Sequence, residues 1–208
     1  MTQLLFIRHG QTDWNLRQCF QGQLDVPLNA TGHAQAARLG ARLAADKPDA
    51  FYCSDLLRTR QTAAPLASAW GNEPVTMPGF REQAFGIFEG LDFEAIQARH
   101  ADLWPRWVQQ DAHFALPGGG ESMATFSARV LVALARIVAQ HAGKRVTIVT
   151  HGGVLDVLWR NAHRLPLHGA RVCEIPNTGL NRMSWTERGL AVQSWGDAGH
   201  LEQLAVSP

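Results

Sequence analysis

Short unbroken apolar runs alternate along the chain with longer stretches in which apolar residues recur every three or four positions. Leu4–Ile7 is entirely apolar and reads as a buried strand, ended by Arg8-His9-Gly10. Residues 11–30 carry Asn15, Gly22, Asp25, Pro27 and Asn29 and read as loop. Thr31 is placed to N-cap an alanine-rich helix through about Ala45. Ala50–Cys53 reads as a second strand, after which Ser54 or Asp55 can cap a helix from about Leu56 to Trp70; Val75–Met77 is a third candidate strand. Glu121 or Ser122 opens a longer helix, with Phe126, Val130, Leu134, Ile137 and Val138 on one face. Arg145–Thr150 is the clearest strand. It ends in His151-Gly152-Gly153, and a helix through about Asn161 follows. Residues 172–196 suggest a strand pair turning at Glu187-Arg188-Gly189.

Strands alternating with helices predict an α/β fold with a largely parallel sheet covered on both faces, and a ligand beyond the carboxyl ends of its strands. Residues 80–120 break the pattern with Gly86, Gly90, Pro105, Pro117 and Gly118-Gly119-Gly120. They read as a small cap-like insertion with short helices near 93–100 and 102–110. A length of 208 residues suits one domain, 1–208, bearing that insertion. A net charge of +1 offers no basic surface for nucleic acid or an anionic membrane, so anion binding must be local. No apolar run is long enough to span a bilayer, and the N-terminal run is too short for a signal peptide. Cys19, Cys53 and Cys173 have neither disulfide-framework nor metal spacing, which points to a reducing cytoplasm. The remaining histidines lack metal-ligand spacing as well.

The chemistry begins where two strands each end in His-Gly. In a parallel sheet, Ile7-Arg8-His9-Gly10 and Val149-Thr150-His151-Gly152 open on the same edge, so two imidazoles can meet. Gly152 stands where a helix starts, a place that attracts anions. Arg8 adjoins His9, and Arg58 lies early in the helix after Cys53, within reach of that edge. Arginine forks suit phosphate oxygens. With Asn15 these residues make an anion cage. A neutral imidazole can attack phosphorus there, positive neighbours stabilise the transferring group, and a carboxyl group must move the proton.

The segment Arg8-His9-Gly10-Gln11-Thr12-Asp13-Trp14-Asn15 resembles the Arg-His-Gly-x-Thr-x-x-Asn signature of the histidine phosphatase superfamily, phosphoglycerate mutase-like branch. The resemblance continues in order through Gly22–Leu28, Gly32, Ser54–Ala63, Arg81–Gly90, Gly120-Glu121-Ser122 and Val149–Gly153. It implies a three-layer α/β/α sandwich with a mostly parallel mixed sheet, and neither metal nor cofactor. It also implies a phosphohistidine on His9, a phosphoryl group held by Arg8, Arg58 and His151, and assistance from Asn15 and the Gly152 backbone. Gln21 and Gly22 would line the site, and Glu82 matches the acid/base carboxylate, with Glu89 the competing choice.

The expected function is hydrolysis of a small phosphorylated metabolite. A phosphoglycerate mutase would share the phosphohistidine, but mutases carry an adjacent arginine pair in their insertion, where residues 93–116 offer only Arg99 and Arg106. A regulatory protein that binds a phosphorylated ligand without turnover is the alternative of another class. Trp14, Trp104 and Trp107 read first as packing residues.

Overall fold

A computed structural model describes residues 1–109 and 111–202. In chain order the elements are β1 (Thr2–Arg8), α1 (Asp13–Leu16), α2 (Ala30–Leu43), β2 (Ala50–Cys53), α3 (Leu57–Trp70), β3 (Val75–Thr76), α4 (Phe93–His100), α5 (Trp104–Val108), α6 (Met123–Gln140), β4 (Arg145–Thr150), α7 (Gly152–His163), β5 (Leu180–Thr186) and β6 (Gly189–Asp197).

The two strands with the longest apolar runs pair in parallel at the centre of the sheet, whose order is β3-β2-β4-β1-β5-β6. β2 runs parallel to β4 and β3, while β5 and β6 add an antiparallel hairpin beside β1. Side chains on a strand alternate between its faces. Leu4 and Phe6 therefore join α6 and α7 in one core, through Phe126, Val130, Leu134, Val154, Leu155 and Leu158. Leu5 and Ile7 join α2 and α3 in another, through Leu39, Leu43, Leu66 and Trp70. Two helical layers thus enclose a mixed sheet, and each buried leucine contributes about 1.5–3 kcal/mol. Residues 80–120 build a third apolar cluster around Phe88, Ile96 and Leu116, against which Phe20 also packs.

Register places the chemistry. Arg8 pairs with Thr150 and Cys53 with Val149, so β1, β4 and β2 end side by side. His9, His151 and Ser54 each follow one of those ends. The amides of His9 and Ser54 complete the ladder by donating to the carbonyls of Thr150 and Val149, both at 2.9 Å. Gly10 and Gly32 let the loop after β1 lie against the first turn of α2. A Cβ on Gly10 would overlap the Gly32 carbonyl, and one on Gly32 the Gln11 carbonyl.

Several helix starts differ from the sequence expectation. Asn29, not Thr31, caps α2, accepting from the Gly32 amide at 2.8 Å. Neither Ser54 nor Asp55 caps α3. Leu56 occupies that position, and the Leu57 amide donates to Asp25, a residue distant in sequence. Of Glu121 and Ser122 it is Ser122 that caps α6, accepting from the Thr125 amide at 3.1 Å. α1 falls inside the expected 11–30 loop, held by a reciprocal cap between Thr12 and Asn15. The expected second short helix of the insertion is α5, and residue 110 at its expected end lies outside the described residues, as do 203–208 of the expected 1–208 domain. β5 starts at Leu180 rather than near 172.

One helix corrects the expectation that no run reaches bilayer length: α6 has 18 residues and is apolar enough by length and composition alone. It is nonetheless a core helix. Phe126, Val130, Leu134 and Ile137 form a stripe at helical spacing against the sheet, and Arg129 on another face pairs with Glu121 at 2.6 Å.

Candidate active site

His9 is 3% exposed, and its Nδ1 lies 2.7 Å from the Gly10 carbonyl. A carbonyl oxygen only accepts, so Nδ1 carries the proton and Nε2 keeps its lone pair. Asn177 Nδ2 donates to the His9 carbonyl at 2.9 Å, and the Gly10 amide donates to Thr62 Oγ1 at 2.9 Å, so backbone and ring are both fixed. The His151 ring centroid stands 5.3 Å from that of His9. His151 Nε2 is 2.9 Å from Ser54 Oγ. If the serine hydroxyl, which accepts from the Leu56 amide, donates to Nε2, the neutral ring carries its proton on Nδ1, a buried atom with no hydrogen-bond partner among the described residues.

Arg58 is fully buried, and it donates to the carbonyls of Leu24 at 2.9 Å and Gly22 at 2.8 Å. Arg8 donates to the Ile175 carbonyl at 2.6 Å. In both guanidinium groups Nε is buried without a partner among the described residues. Buried donors are ordinarily satisfied, so unpartnered nitrogens on Arg8, Arg58 and His151 near one imidazole are groups that an anion can satisfy. Burial, the largest cause, lowers both arginines to about 10; Arg171 adds to the effect at Arg8, and Arg8 adds to it at Arg58.

The same cavity, about 270 Å³, is lined by Arg8, His9, Asn15, Gln21, Gly22, Arg58 and Glu82. It therefore gathers most of the residues singled out in the sequence. Asn15 Oδ1 is engaged in the cap of α1, which leaves its Nδ2 for a ligand. Gly22 adopts φ +50°, and a Cβ there would overlap Glu89. Neither His151 nor Gly152 is among the lining residues; His151 is fully buried beside His9, and Gly152 opens α7 beside the Arg8 guanidinium.

The two candidate carboxylates separate clearly. Glu82 faces the cavity, its Oε2 accepting from the Gly153 amide at 3.0 Å and its Oε1 from the Gln83 amide at 2.9 Å. Glu89 instead accepts from the amides of Gln23 and Phe85, both at 3.0 Å, and ties two loops together.

A second cavity of about 330 Å³ shares Glu82, Phe20 and Phe85 with the first. Its aromatic wall comes from Phe20, Phe85, Trp107 and Phe114; Phe20 and Phe85 meet edge to face at 5.0 Å. Its charged lining includes Asp111, Asp156, Arg160 and Arg171. Sequence reading missed Ser54 as the partner of His151, and it missed Asn177 and Arg171. Ser54 was within reach as the residue that ends β2 at the edge shared with β4. The other two lie in a segment without periodicity. Among the described residues no three His, Cys, Asp or Glu side chains group as a metal site.

Both imidazoles are held well below the ordinary value of 6.5, by burial first and then by Arg58, with Arg8 contributing at each. The unfolded chain takes up protons at these rings as pH falls through 6.5, and the folded chain does not. Their contribution is therefore fully present above that pH and is lost below it, at up to about 1.4 kcal/mol per pH unit for each ring. Urea unfolding at about pH 7 and about pH 5.5 is expected to show this loss, smaller in His9→Gln than in the wild type. An equal loss in both proteins would contradict the assignment for His9.

Comparison with known proteins gives the family. The chain matches the histidine phosphatase superfamily (branch 1) over residues 4–198. Phosphoglycerate mutase-like protein 4 of Arabidopsis thaliana is 34% identical over 209 residues, covering 97% of this chain and 87% of that protein. The metal-independent phosphoserine phosphatase of Arabidopsis thaliana is 30% identical, covering 98% and 85%. Among solved structures, YhfR of Bacillus stearothermophilus superposes with a TM-score of 0.88 at 31% identity, covering 97% of this chain and all of that one. With the match running from β1 through the end of β6, the chain belongs to the histidine phosphatase superfamily, branch 1.

Proposed function

We propose that the protein is a phosphomonoesterase that hydrolyses a small phosphorylated metabolite through a phosphohistidine on His9. The observation that carries this reading is the His9 ring itself. It is neutral, with Nδ1 bound to a backbone carbonyl and Nε2 left as a lone pair, in a pocket shared with Arg8 and Arg58.

In the first step Nε2 attacks phosphorus, the P–O ester bond breaks, and the departing alkoxide takes a proton from Glu82. In the second, Glu82 takes a proton from water, the water oxygen attacks phosphorus, and the N–P bond breaks to release phosphate. The guanidinium groups of Arg8 and Arg58 and the Nδ1–H of His151 are assigned to the phosphoryl oxygens, whose charge they stabilise in both transition states. Asn15 Nδ2, Gln21, Gly22 and the Gly152 backbone are assigned to substrate binding. Residues 80–120 serve as a cap whose aromatic side chains exclude bulk water from the leaving group.

Hydrolysis is favoured over mutase action by the cap. Residues 93–116 contribute Trp107, Asp111 and Phe114 to the second cavity, and Arg106 is spent stacking on Phe114 at 4.3 Å. No adjacent arginine pair faces that cavity among the described residues. The three cysteines are free, which suits a cytoplasmic enzyme. Incubation with 3-phosphoglycerate tests the reading. Release of inorganic phosphate is expected to outrun formation of 2-phosphoglycerate, and isomerisation far exceeding release would replace it with a mutase.

A further inference from the structure

The second cavity has a charged wall whose construction points to the alcohol portion of the substrate. Arg160 is buried on α7 and its donors are all engaged. Nε pairs with Asp156 at 2.8 Å, and its two terminal nitrogens donate to the carbonyls of Pro166, His168, Gly169 and Ala170 at 2.6–3.0 Å. One side chain thus clamps the loop that follows α7, and the next residue along that loop is Arg171. Asp156 also reaches Arg171, Oδ1 to Nε at 3.8 Å. The Arg171 guanidinium lies beside that of Arg8: a Cβ on Gly152 would stand 3.5 Å from Arg8 Nε and 3.6 Å from an Arg171 terminal nitrogen. Unlike Arg8, Arg171 lines the second cavity and not the one that holds His9. Glu82, the assigned proton donor to the leaving oxygen, stands in both cavities.

We propose that Arg171 is a specificity-determining residue that binds a carboxylate on the alcohol portion of the phosphomonoester, close to the scissile oxygen. The inference rests on the phosphatase reading above. Arg160 is consumed by Asp156 and the loop carbonyls, and Asp156 meets Arg171 only at Nε, so among the described residues lining this cavity, which include the acidic Asp111 and Glu82, Arg171 is the guanidinium whose terminal nitrogens can take a ligand. That matches a single planar carboxylate, bound through two parallel N–H donors. A second phosphoryl group, with about two charges, would be under-compensated there. The aromatic wall packs against the remainder of the alcohol.

The test uses matched esters that place the carboxylate near the ester oxygen: 3-phosphoglycerate against glycerol 3-phosphate, and O-phosphoserine against O-phosphoethanolamine. The wild-type enzyme is expected to prefer the carboxylate member of each pair by roughly 10- to 100-fold in kcat/KM, and in Arg171→Gln that ratio collapses toward one. Arg171→Lys, which keeps the charge without the fork, is expected to retain part of the preference. No wild-type preference, or parallel slowing of both members in Arg171→Gln with the ratio unchanged, would overturn the proposal. Calorimetric titration of the first pair into His9→Ala and into His9→Ala/Arg171→Gln reads the same preference without turnover. The proposal therefore fails or stands on binding alone. The phosphatase reading fails separately, as absence of phosphate release from every ester, p-nitrophenyl phosphate included.

Discussion

His9→Ala is expected to lower kcat/KM for every phosphomonoester by about 10⁴-fold or more, and to abolish an acid-labile phosphoprotein that rapid quenching traps in the wild type. The size of the effect follows from what remains. Arg8, Arg58 and the Nδ1–H of His151 still bind the phosphoryl group, but nothing near them replaces the Nε2 lone pair. Water entering the space would have to attack a tightly bound dianion without a covalent intermediate to divide the barrier. Folding should survive, because the His9 side chain makes one hydrogen bond, to the Gly10 carbonyl, and its removal also takes a ring from between two buried guanidinium groups. Circular dichroism and a melting temperature close to the wild-type value would separate lost chemistry from lost structure. A variant that kept more than about a tenth of the rate would remove His9 from the mechanism.

That His9 stands where it does was legible because strand ends are legible. Leu4–Ile7 and Arg145–Thr150 are buried parallel strands, so their sequences are apolar runs bounded by polar residues, and adjacent parallel strands bring their carboxyl ends to one edge. Arg58 was legible for the same reason, being the second residue of the helix after such an end. What was not legible depends on contacts between distant segments. Asn29 and Thr31 are both competent caps, and the choice between them is made by how the chain enters α2, where Asn29 Nδ2 also bonds Gln11. Four residues are too few for α1 to show a period. Glu82 is preferred over Glu89 in the sequence only through the resemblance; each accepts from two backbone amides, and what separates them is that Glu82 lines the cavity while Glu89 ties two loops together. Arg171 had no local signal at all. Its position is set by Arg160, which gathers four carbonyls of an irregular loop, and such a clamp leaves no periodic trace.

Glu82→Ala is the variant in which the leaving group should decide the outcome. An alkoxide is a poor leaving group and needs its proton during P–O cleavage, whereas p-nitrophenolate does not. Loss of the acid is therefore expected to reduce kcat/KM by about 10³-fold for glycerol 3-phosphate and by about 10-fold for p-nitrophenyl phosphate. kcat/KM is the quantity to compare, because it reports the step that forms the phosphohistidine and excludes its hydrolysis. Hydrolysis should suffer with both esters, since Glu82 is also assigned to activate water. The aryl ester is then expected to show a burst of nitrophenolate about equal to the enzyme concentration, followed by slow turnover, as phosphohistidine accumulates. Glu89→Ala is the control. It frees the Gln23 and Phe85 amides and should lower stability, with no dependence on the leaving group. Equal slowing of both esters in Glu82→Ala, with no burst, would mean that Glu82 only positions the Gly153 and Gln83 amides it accepts from, and that the proton travels by another group.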